Sequence, residues 1–343
     1  MLGKYFKNRY EKLSVKKKQK IAAVPKNALI ELTNACNHAC VFCHNPFMHR
    51  TAGIINKELY GRFVDEAVEL GLKEIGLYST GEPFVVKNLA WYIKRAKDAG
   101  CDRVYLTSNG ALATLNRVAD AVENGLDSLK FSINAGTRES YKLTHGVDDF
   151  ELVLQNVKDI FRWKQKNDVN LQLLGSCIYT RLTKNEVDIH RNIFSQYFED
   201  IIYQQAQSQG GRTGERISPV IEQSPWPVVD QIKPCEMLWN RVHLTWEGYL
   251  SACCVDYELD LTYADLKTGE SLSEIWNNVK IQALRQRHIN TELDGLICKS
   301  CLTGRPHDYK PISDFRGKTR GNGSAEADTV SRINIVSGIL GAK

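Results

Sequence analysis

From residue 27 onward, short runs rich in β-branched and aliphatic residues alternate with longer segments whose apolar positions recur every three or four residues. The runs Ala28–Leu32, Glu74–Tyr78, Arg103–Thr107, Ser128–Ile133, Asn170–Ile178 and Ile201–Gln204 read as strands. The segments between them, Asn56–Leu70, Asn88–Ala99, Leu112–Glu123, Asp149–Gln165 and Lys184–Phe198, read as amphipathic helices. In the first of these, Leu59, Phe63, Ala67 and Leu70 share one face. Strands alternating with helices predict βα units and a parallel sheet. Six units fit into residues 27–206, whereas a closed eight-unit barrel takes about 250 residues. The expected fold class is therefore α/β: a partial (βα)6 TIM-like barrel.

The rhythm breaks at residues 207–234, which are rich in Gly, Pro, Ser and Gln and read as a linker. Two strand-like runs follow, Arg241–Trp246 and Tyr249–Cys253, joined at Glu247-Gly248, where glycine suits a tight turn. A helix is expected over Ser271–His288, with Ser271 and Glu274 forming a capping box. Residues 235–304 thus look like a small β-hairpin and helix domain after the barrel. The tail, 305–343, is Gly-rich and ends in RINIVSGILGAK, an apolar patch too short to span a bilayer and expected to dock on the body.

Composition adds a compartment and a charge pattern. At 43% hydrophobic and 25% charged residues the 343-residue chain can build a real core. It has no run of about eighteen apolar residues and no apolar segment at the N-terminus that would suit a secretory signal. A cytoplasmic protein is expected, and its ten cysteines then point to metal or catalytic use rather than disulfides. Residues 1–26 carry a net charge of +8 and residues 305–343 a net +3, leaving −6 for the body. A basic arm can attract nucleic acid. Without aromatic interleaving or a nucleic-acid motif, a solvated arm and a small-molecule partner are the expectation.

Seven of the cysteines fall in two metal-like groupings. Cys36, Cys40 and Cys43 lie just past the first strand, at a spacing that suits an iron–sulfur cluster or zinc. A structural zinc would need a fourth ligand, from His38 or His44. Three thiolates on a four-iron cluster would leave one iron open. Cys235, Cys253 or its neighbour Cys254, Cys298 and Cys301 could enclose a second centre. From the residues alone, zinc and a 4Fe–4S cluster suit this second set equally. Cys101 and Cys177 are isolated and read as buried structural thiols.

The C-x3-C-x2-C loop resembles the signature of the radical SAM superfamily, and further motifs follow in order. Phe42 stands at the aromatic position before the last cysteine. Thr80-Gly81-Glu82-Pro83 is similar to the family turn that binds the methionyl amino group. Ser108-Asn109-Gly110 ends the third strand, and Ser132-Ile133-Asn134-Ala135 ends the fourth at the positions that meet ribose and methionine. The resemblance implies a SAM-binding 4Fe–4S cluster on Cys36, Cys40 and Cys43. It implies cofactor contacts from Phe42, Thr80, Gly81, Glu82, Asn109, Ser132 and Asn134. One departure is His145, in Tyr141-Lys-Leu-Thr-His145-Gly146, where the family often has arginine. It is either a pH-sensitive substitute donor or a solvent-facing residue at a helix end.

Cys235, Gly248-x4-Cys253 and Cys298-x2-Cys301, with Ser271–Trp276 between them, resemble the twitch or SPASM auxiliary-cluster domain. The Gly-x4-Cys spacing selects Cys253 over Cys254. No further cysteines follow Cys301, so one auxiliary 4Fe–4S cluster with four cysteine ligands is implied. The resemblance also implies S-adenosyl-L-methionine as cofactor and a reducing partner such as flavodoxin or ferredoxin. Its chemistry would be a 5′-deoxyadenosyl radical, used here for two-electron oxidation of a small polar metabolite such as a sugar or aminocyclitol. Arg181, past the fifth strand, is a candidate anchor for a substrate anion. The competing expectations are radical modification of a peptide and, outside enzymes, a zinc-stapled binding protein.

Overall fold

A computed structural model describes residues 3–207, 209–212, 232–303, 307–313 and 315. Strands β1 (Asn27–Ile30), β2 (Glu74–Gly76), β3 (Arg103–Ser108), β4 (Ser128–Ser132), β5 (Gln172–Tyr179) and β6 (Asp200–Gln205) pair in parallel and in chain order, forming the expected partial barrel. Helices α2 (Lys57–Glu69), α3 (Leu89–Asp98), α4 (Leu115–Glu123), α6 (Phe150–Lys166) and α7 (Val187–Phe194) follow the apolar periodicity. A further short helix, α5 (Arg138–His145), precedes α6. Thr137 caps α5 by accepting from the Ser140 N–H. Ile30, Ile75, Val104, Leu106, Leu129 and Phe131 face the helices and form one core with Tyr60, Phe63, Val64 and Ile93. The alternate residues of the same strands face the barrel interior.

The second region, the small hairpin and helix domain expected after the barrel, shares the barrel's sheet. Strand β7 (Arg241–Leu244) pairs in parallel with β1, Ala28 opposite Val242. Strands β8 (Tyr249–Ser251) and β9 (Thr262–Asp265) then continue the same sheet antiparallel. The order is β6-β5-β4-β3-β2-β1-β7-β8-β9, one nine-stranded sheet. The free edge of β1 is thereby covered, which removes an exposed row of backbone donors and acceptors.

The basic arm is also not simply solvated. Residues Lys4–Leu13 form helix α1 against the N-terminal end of the barrel. Phe6 packs on Leu174 and Ile202, the Asp200 carboxylate accepts from the Tyr5 and Phe6 N–H groups at 3.0 and 3.2 Å, and Arg9 pairs with Glu74 at 2.6 Å. A carboxylate at a helix start satisfies otherwise orphaned donors and complements the dipole.

After the barrel come α8 (Met237–Asn240), α9 (Leu272–Trp276), α10 (Val279–Ile289) and α11 (Ile297–Thr303). The capping box at Ser271 and Glu274 is present, but the helix expected to reach His288 breaks at Asn277-Asn278. Two interactions favour the break. The Asn278 side chain caps α10 by accepting from Lys280 and Ile281, and the buried Arg285 guanidinium donates to the Trp276 carbonyl and the Asn277 side chain. Most of the linker, and the tail apart from 307–313 and 315, lie outside the described residues, the RINIVSGILGAK patch included. No helix among the described residues is long and apolar enough to cross a membrane.

Candidate cluster and cofactor site

The loop carrying Cys36, Cys40 and Cys43 leaves β1 at the C-terminal end of the barrel and is clamped from two sides. On one side the Ala39 and Val41 N–H groups donate to the carbonyls of His145 and Thr144, at 3.1 and 2.9 Å. Gly146 closes α5 with φ +73°, and a Cβ there would stand 2.8 Å from the Ala39 carbonyl oxygen. Only glycine both turns the chain and lets the loop approach. On the other side the Glu82 N–H donates to the Ala35 carbonyl at 2.9 Å. A side chain at Gly81 would collide with the Thr33 and Ala35 carbonyls.

Each sulfur of this loop meets a different element. Asn109 Nδ2 approaches the Cys36 sulfur at 3.9 Å and His145 Nδ1 approaches that of Cys40 at 3.7 Å. The Asn45 N–H and the Tyr257 hydroxyl reach Cys43 at 3.4 and 3.5 Å. Burial pushes all three thiols upward, Cys36 to about 12. Metal loading must therefore expel their protons.

The sequence-implied cofactor contacts gather around this loop. The buried Glu82 carboxylate accepts from Phe84 N–H at 3.0 Å, Ser108 Oγ at 2.9 Å and Asn109 N–H at 2.8 Å, while burial raises its pKa. Asn109 Nδ2 also donates to Asn37 Oδ1 at 2.8 Å. Thr80 donates its hydroxyl to Glu31, and its carbonyl accepts from Asn45 at 2.7 Å. Asn134 Oδ1 accepts from Ile178 N–H at 2.8 Å, and its amide approaches Ser132 Oγ at 3.4 Å. Phe42 is buried against Ala206, just past β6. Arg181 stands exposed on the turn after β5.

His145 does not face solvent, although it ends a helix. It is fully buried and stacks on Tyr141, ring centroids 3.9 Å apart. The Asn134 N–H donates to His145 Nε2 at 3.1 Å, which places the imidazole proton on Nδ1. That nitrogen lies 3.2 Å from His38 Nδ1, and His38 Nε2 lies 3.2 Å from the Asp149 carboxylate. Burial holds the His145 pKa well below its ordinary value. The result is a directed chain, His145 to His38 to Asp149, behind the cluster loop. No motif spacing reveals it, because His38 lies more than a hundred residues from His145 and Asp149.

The second cysteine set surrounds a small, largely apolar cavity lined by Cys235, Cys253, Cys298 and Cys301, together with Leu238 and Ile297. Burial raises Cys235 to about 11 and pushes Cys298 up as well. Cys254 is not part of this lining. Cys253, then His243 and Arg241, stabilise its thiolate and hold its pKa low.

Both cysteine sets are spread more widely than zinc would draw them. Tetrahedral zinc–thiolate bonds near 2.3 Å place sulfurs ~4 Å apart. Among the described residues the one group of three ligand atoms within 4.8 Å of one another is His38, Cys40 and His145, already engaged in the chain above. His44, a candidate zinc ligand, instead directs Nε2 to Glu258 at 3.2 Å.

Tyr257 and Glu258 join the two sets, and nothing in the sequence signals them. The Glu258 carboxylate receives His44 Nε2 and the His49 N–H and Nδ1. Burial alone would raise its pKa, but those donors hold it down to about 2. Nearby, the buried Arg50 guanidinium bridges Glu31 on the cluster loop and Glu247 in the β7–β8 turn.

Comparison with known proteins agrees with this geometry. The radical SAM superfamily model matches residues 30–175, and an iron–sulfur cluster-binding domain of the SPASM type matches residues 235–302. A probable GTP 3′,8-cyclase of Sulfurisphaera tokodaii is 24% identical over 291 residues, covering 76% of this chain and 89% of that protein. Its counterpart in Saccharolobus solfataricus is 32% identical over 130 residues, 38% of this chain and 41% of that one. Among solved structures, BtrN in complex with AdoMet and 2-DOIA superposes with TM-score 0.54 at 17% identity, over 83% of this chain and 93% of that one. Streptococcus suis SuiB bound to the precursor peptide SuiA superposes with TM-score 0.60 at 13% identity, over 81% and 69%. At these identities the two structures speak for the fold.

Proposed function

For a chain that belongs to the radical SAM superfamily and carries a SPASM-type cluster domain after its barrel, we propose net two-electron oxidation of a small polar metabolite. The cofactors are S-adenosyl-L-methionine and two 4Fe–4S clusters, one binding SAM and one auxiliary. When bound, SAM on its cluster supplies a 5′-deoxyadenosyl radical for hydrogen abstraction. Cys36, Cys40 and Cys43 would hold the SAM-binding cluster. Glu82, Asn109, Asn134, Ser132, Thr80, Gly81 and Phe42 would orient the cofactor at the strand ends. Cys235, Cys253, Cys298 and Cys301 would hold the auxiliary cluster.

The observation that carries the oxidative reading is the cavity enclosed by four cysteines. With every ligand position taken by the protein, substrate has no place to coordinate there, and the domain suits an outlet for the second electron. Tyr257, four residues past Cys253 in the chain, contacts Cys43 of the first set. A ferredoxin- or flavodoxin-like reductant would supply the first electron.

The test incubates anaerobically reconstituted, reduced protein with SAM and measures 5′-deoxyadenosine. Production is expected; its absence from protein holding about eight irons per chain sinks the reading. A second reading, radical cyclisation of a purine nucleotide, is favoured by the probable GTP 3′,8-cyclases, one of which this chain matches over 89% of its length. A new covalent bond within added GTP, in place of a dehydrogenated product, would establish that reading instead.

A further inference from the structure

Below the cofactor layer the barrel interior is cationic. Between α1 and the strands lies a cavity of ≈ 110 Å³ whose wall includes Arg9, Arg103, Lys130 and Arg241 and no aspartate or glutamate. Two of these cations are already engaged: Arg9 with Glu74 at 2.6 Å, and Arg103 with Tyr5 and Gln172 at 2.8 and 2.7 Å. Of the four, only Arg9 has a carboxylate partner among the described residues. Arg241 donates to the neutral Asn27 side chain and shares with Lys130 the nearby Cys254 thiolate. Lys130 otherwise has only the rings of Phe6 and Tyr78, each 6.0 Å away. Burial, then Arg241 and Arg9, lowers the Lys130 pKa to about 8, which leaves it charged at neutral pH.

An enclosed charge without a counter-charge is costly to fold around. Two hydroxyls on the same wall add to that cost. Tyr105 and Thr107 keep buried oxygens with no hydrogen-bond partner. Thr107 is paired in register with Lys130 across β3 and β4, so the two side chains leave adjacent backbone positions, and both line the cavity. Gly76, opposite Tyr105, leaves room for that ring: a Cβ there would come within 2.8 Å of it. Cations, hydroxyl donors and space converge, and the charges of Arg103, Lys130 and Arg241 outnumber the one thiolate, Cys254, that faces them.

We propose that Lys130 and Arg241, with the Tyr105 and Thr107 hydroxyls, bind a phosphate group carried by the substrate. The inference rests on the preceding reading, in which the substrate occupies the barrel. The excess of cations over the single Cys254 thiolate suits a phosphate and repels an amine-bearing metabolite such as an aminocyclitol. Thr107 and Lys130 each lie two residues before a cofactor-layer position, Asn109 and Ser132. The strand rise sets the phosphate ~7 Å below that layer, leaving one sugar's length for the carbon that loses hydrogen.

The test titrates full-length reconstituted protein, with SAM present, with inorganic phosphate by anaerobic calorimetry. Saturable binding is expected, weakened at least tenfold by Lys130→Met and severalfold by Thr107→Val, and retained within about threefold by Lys130→Arg. Without phosphate, Lys130→Met should melt higher than wild type, because it removes an uncompensated interior charge; with phosphate only wild type and Lys130→Arg should gain. Absence of saturable binding to wild type, or equal binding by Lys130→Met, overturns the proposal. Acetate binding as tightly as phosphate overturns its phosphate specificity. 5′-Deoxyadenosine formation in the same samples keeps the readings apart. Cleavage without phosphate binding sinks the pocket alone, and binding without cleavage sinks the radical reading alone.

Discussion

The two cysteine sets solve one problem in opposite ways. Cys36, Cys40 and Cys43 come from a single loop of eight residues, and their sulfurs face Asn45 just past that loop and polar donors from three other segments: Asn109, His145 and Tyr257. Cys235, Cys253, Cys298 and Cys301 come from three separated segments and meet around a mainly apolar cavity. A polar surround leaves room for a further ligand and for exchange with substrate. An apolar, cysteine-closed one isolates its centre and suits electron transfer alone. The contrast teaches that ligand count and surroundings, more than the presence of cysteine, separate a reactive site from a relay.

Single substitutions should break the contrast most sharply. Cys36→Ala should abolish 5′-deoxyadenosine formation while about half the iron stays bound at the second site. Cys298→Ala should do the reverse: cleavage continues while complete turnover falls by an order of magnitude or more. Iron content and 5′-deoxyadenosine measured side by side decide it, and equal loss of cleavage in both variants would remove the distinction.

Next in size is the tie between the regions. Arg50 is fully buried between Glu31, on the cluster loop, and Glu247, in the turn of the added strands. Arg50→Met would leave two buried carboxylates without their cation. The expected loss of stability is about 3–5 kcal/mol, read by denaturant unfolding of the apoprotein. A loss below about 1 kcal/mol would mean the two regions hold together without this bridge.

The same contrast explains what was legible in the sequence. The first set could be read because its ligands and the Thr80–Glu82 turn are short contiguous motifs at strand ends, where a barrel places its chemistry. The strands were visible because their outward residues, such as Ile75 and Leu129, are continuously apolar. The second set was readable as cysteine spacing, but its attachment was not. That β7 pairs with β1 depends on which edge remains free in three dimensions, and no local pattern in Arg241–Leu244 states it. Helix α1 was hidden by its lysines, since only Phe6 and Leu13 of its ten residues are buried. His38, Asp149, Tyr257 and the interior cations act through partners far away in sequence, so composition and spacing are silent about them.

The smallest effect tests whether the two sets communicate. Tyr257 follows Cys253 by four residues, yet its hydroxyl lies 3.5 Å from the Cys43 sulfur of the other set. A hydrogen bond to a ligating sulfur stabilises the more negative, reduced state of a centre and so raises its potential. Tyr257→Phe removes that donor and keeps the ring. If the bond is worth about 1 kcal/mol, the potential of the centre held by Cys43 should fall by roughly 40 mV, at 59 mV per tenfold change for one electron. The second centre, ligated by none of the affected sulfurs, should stay within a few millivolts. Redox titration followed by electron paramagnetic resonance resolves the two. A shift confined to the first centre marks Tyr257 as a positioning residue at the junction, whereas an unchanged first potential would mean that the contact packs the segments together and does nothing electrical.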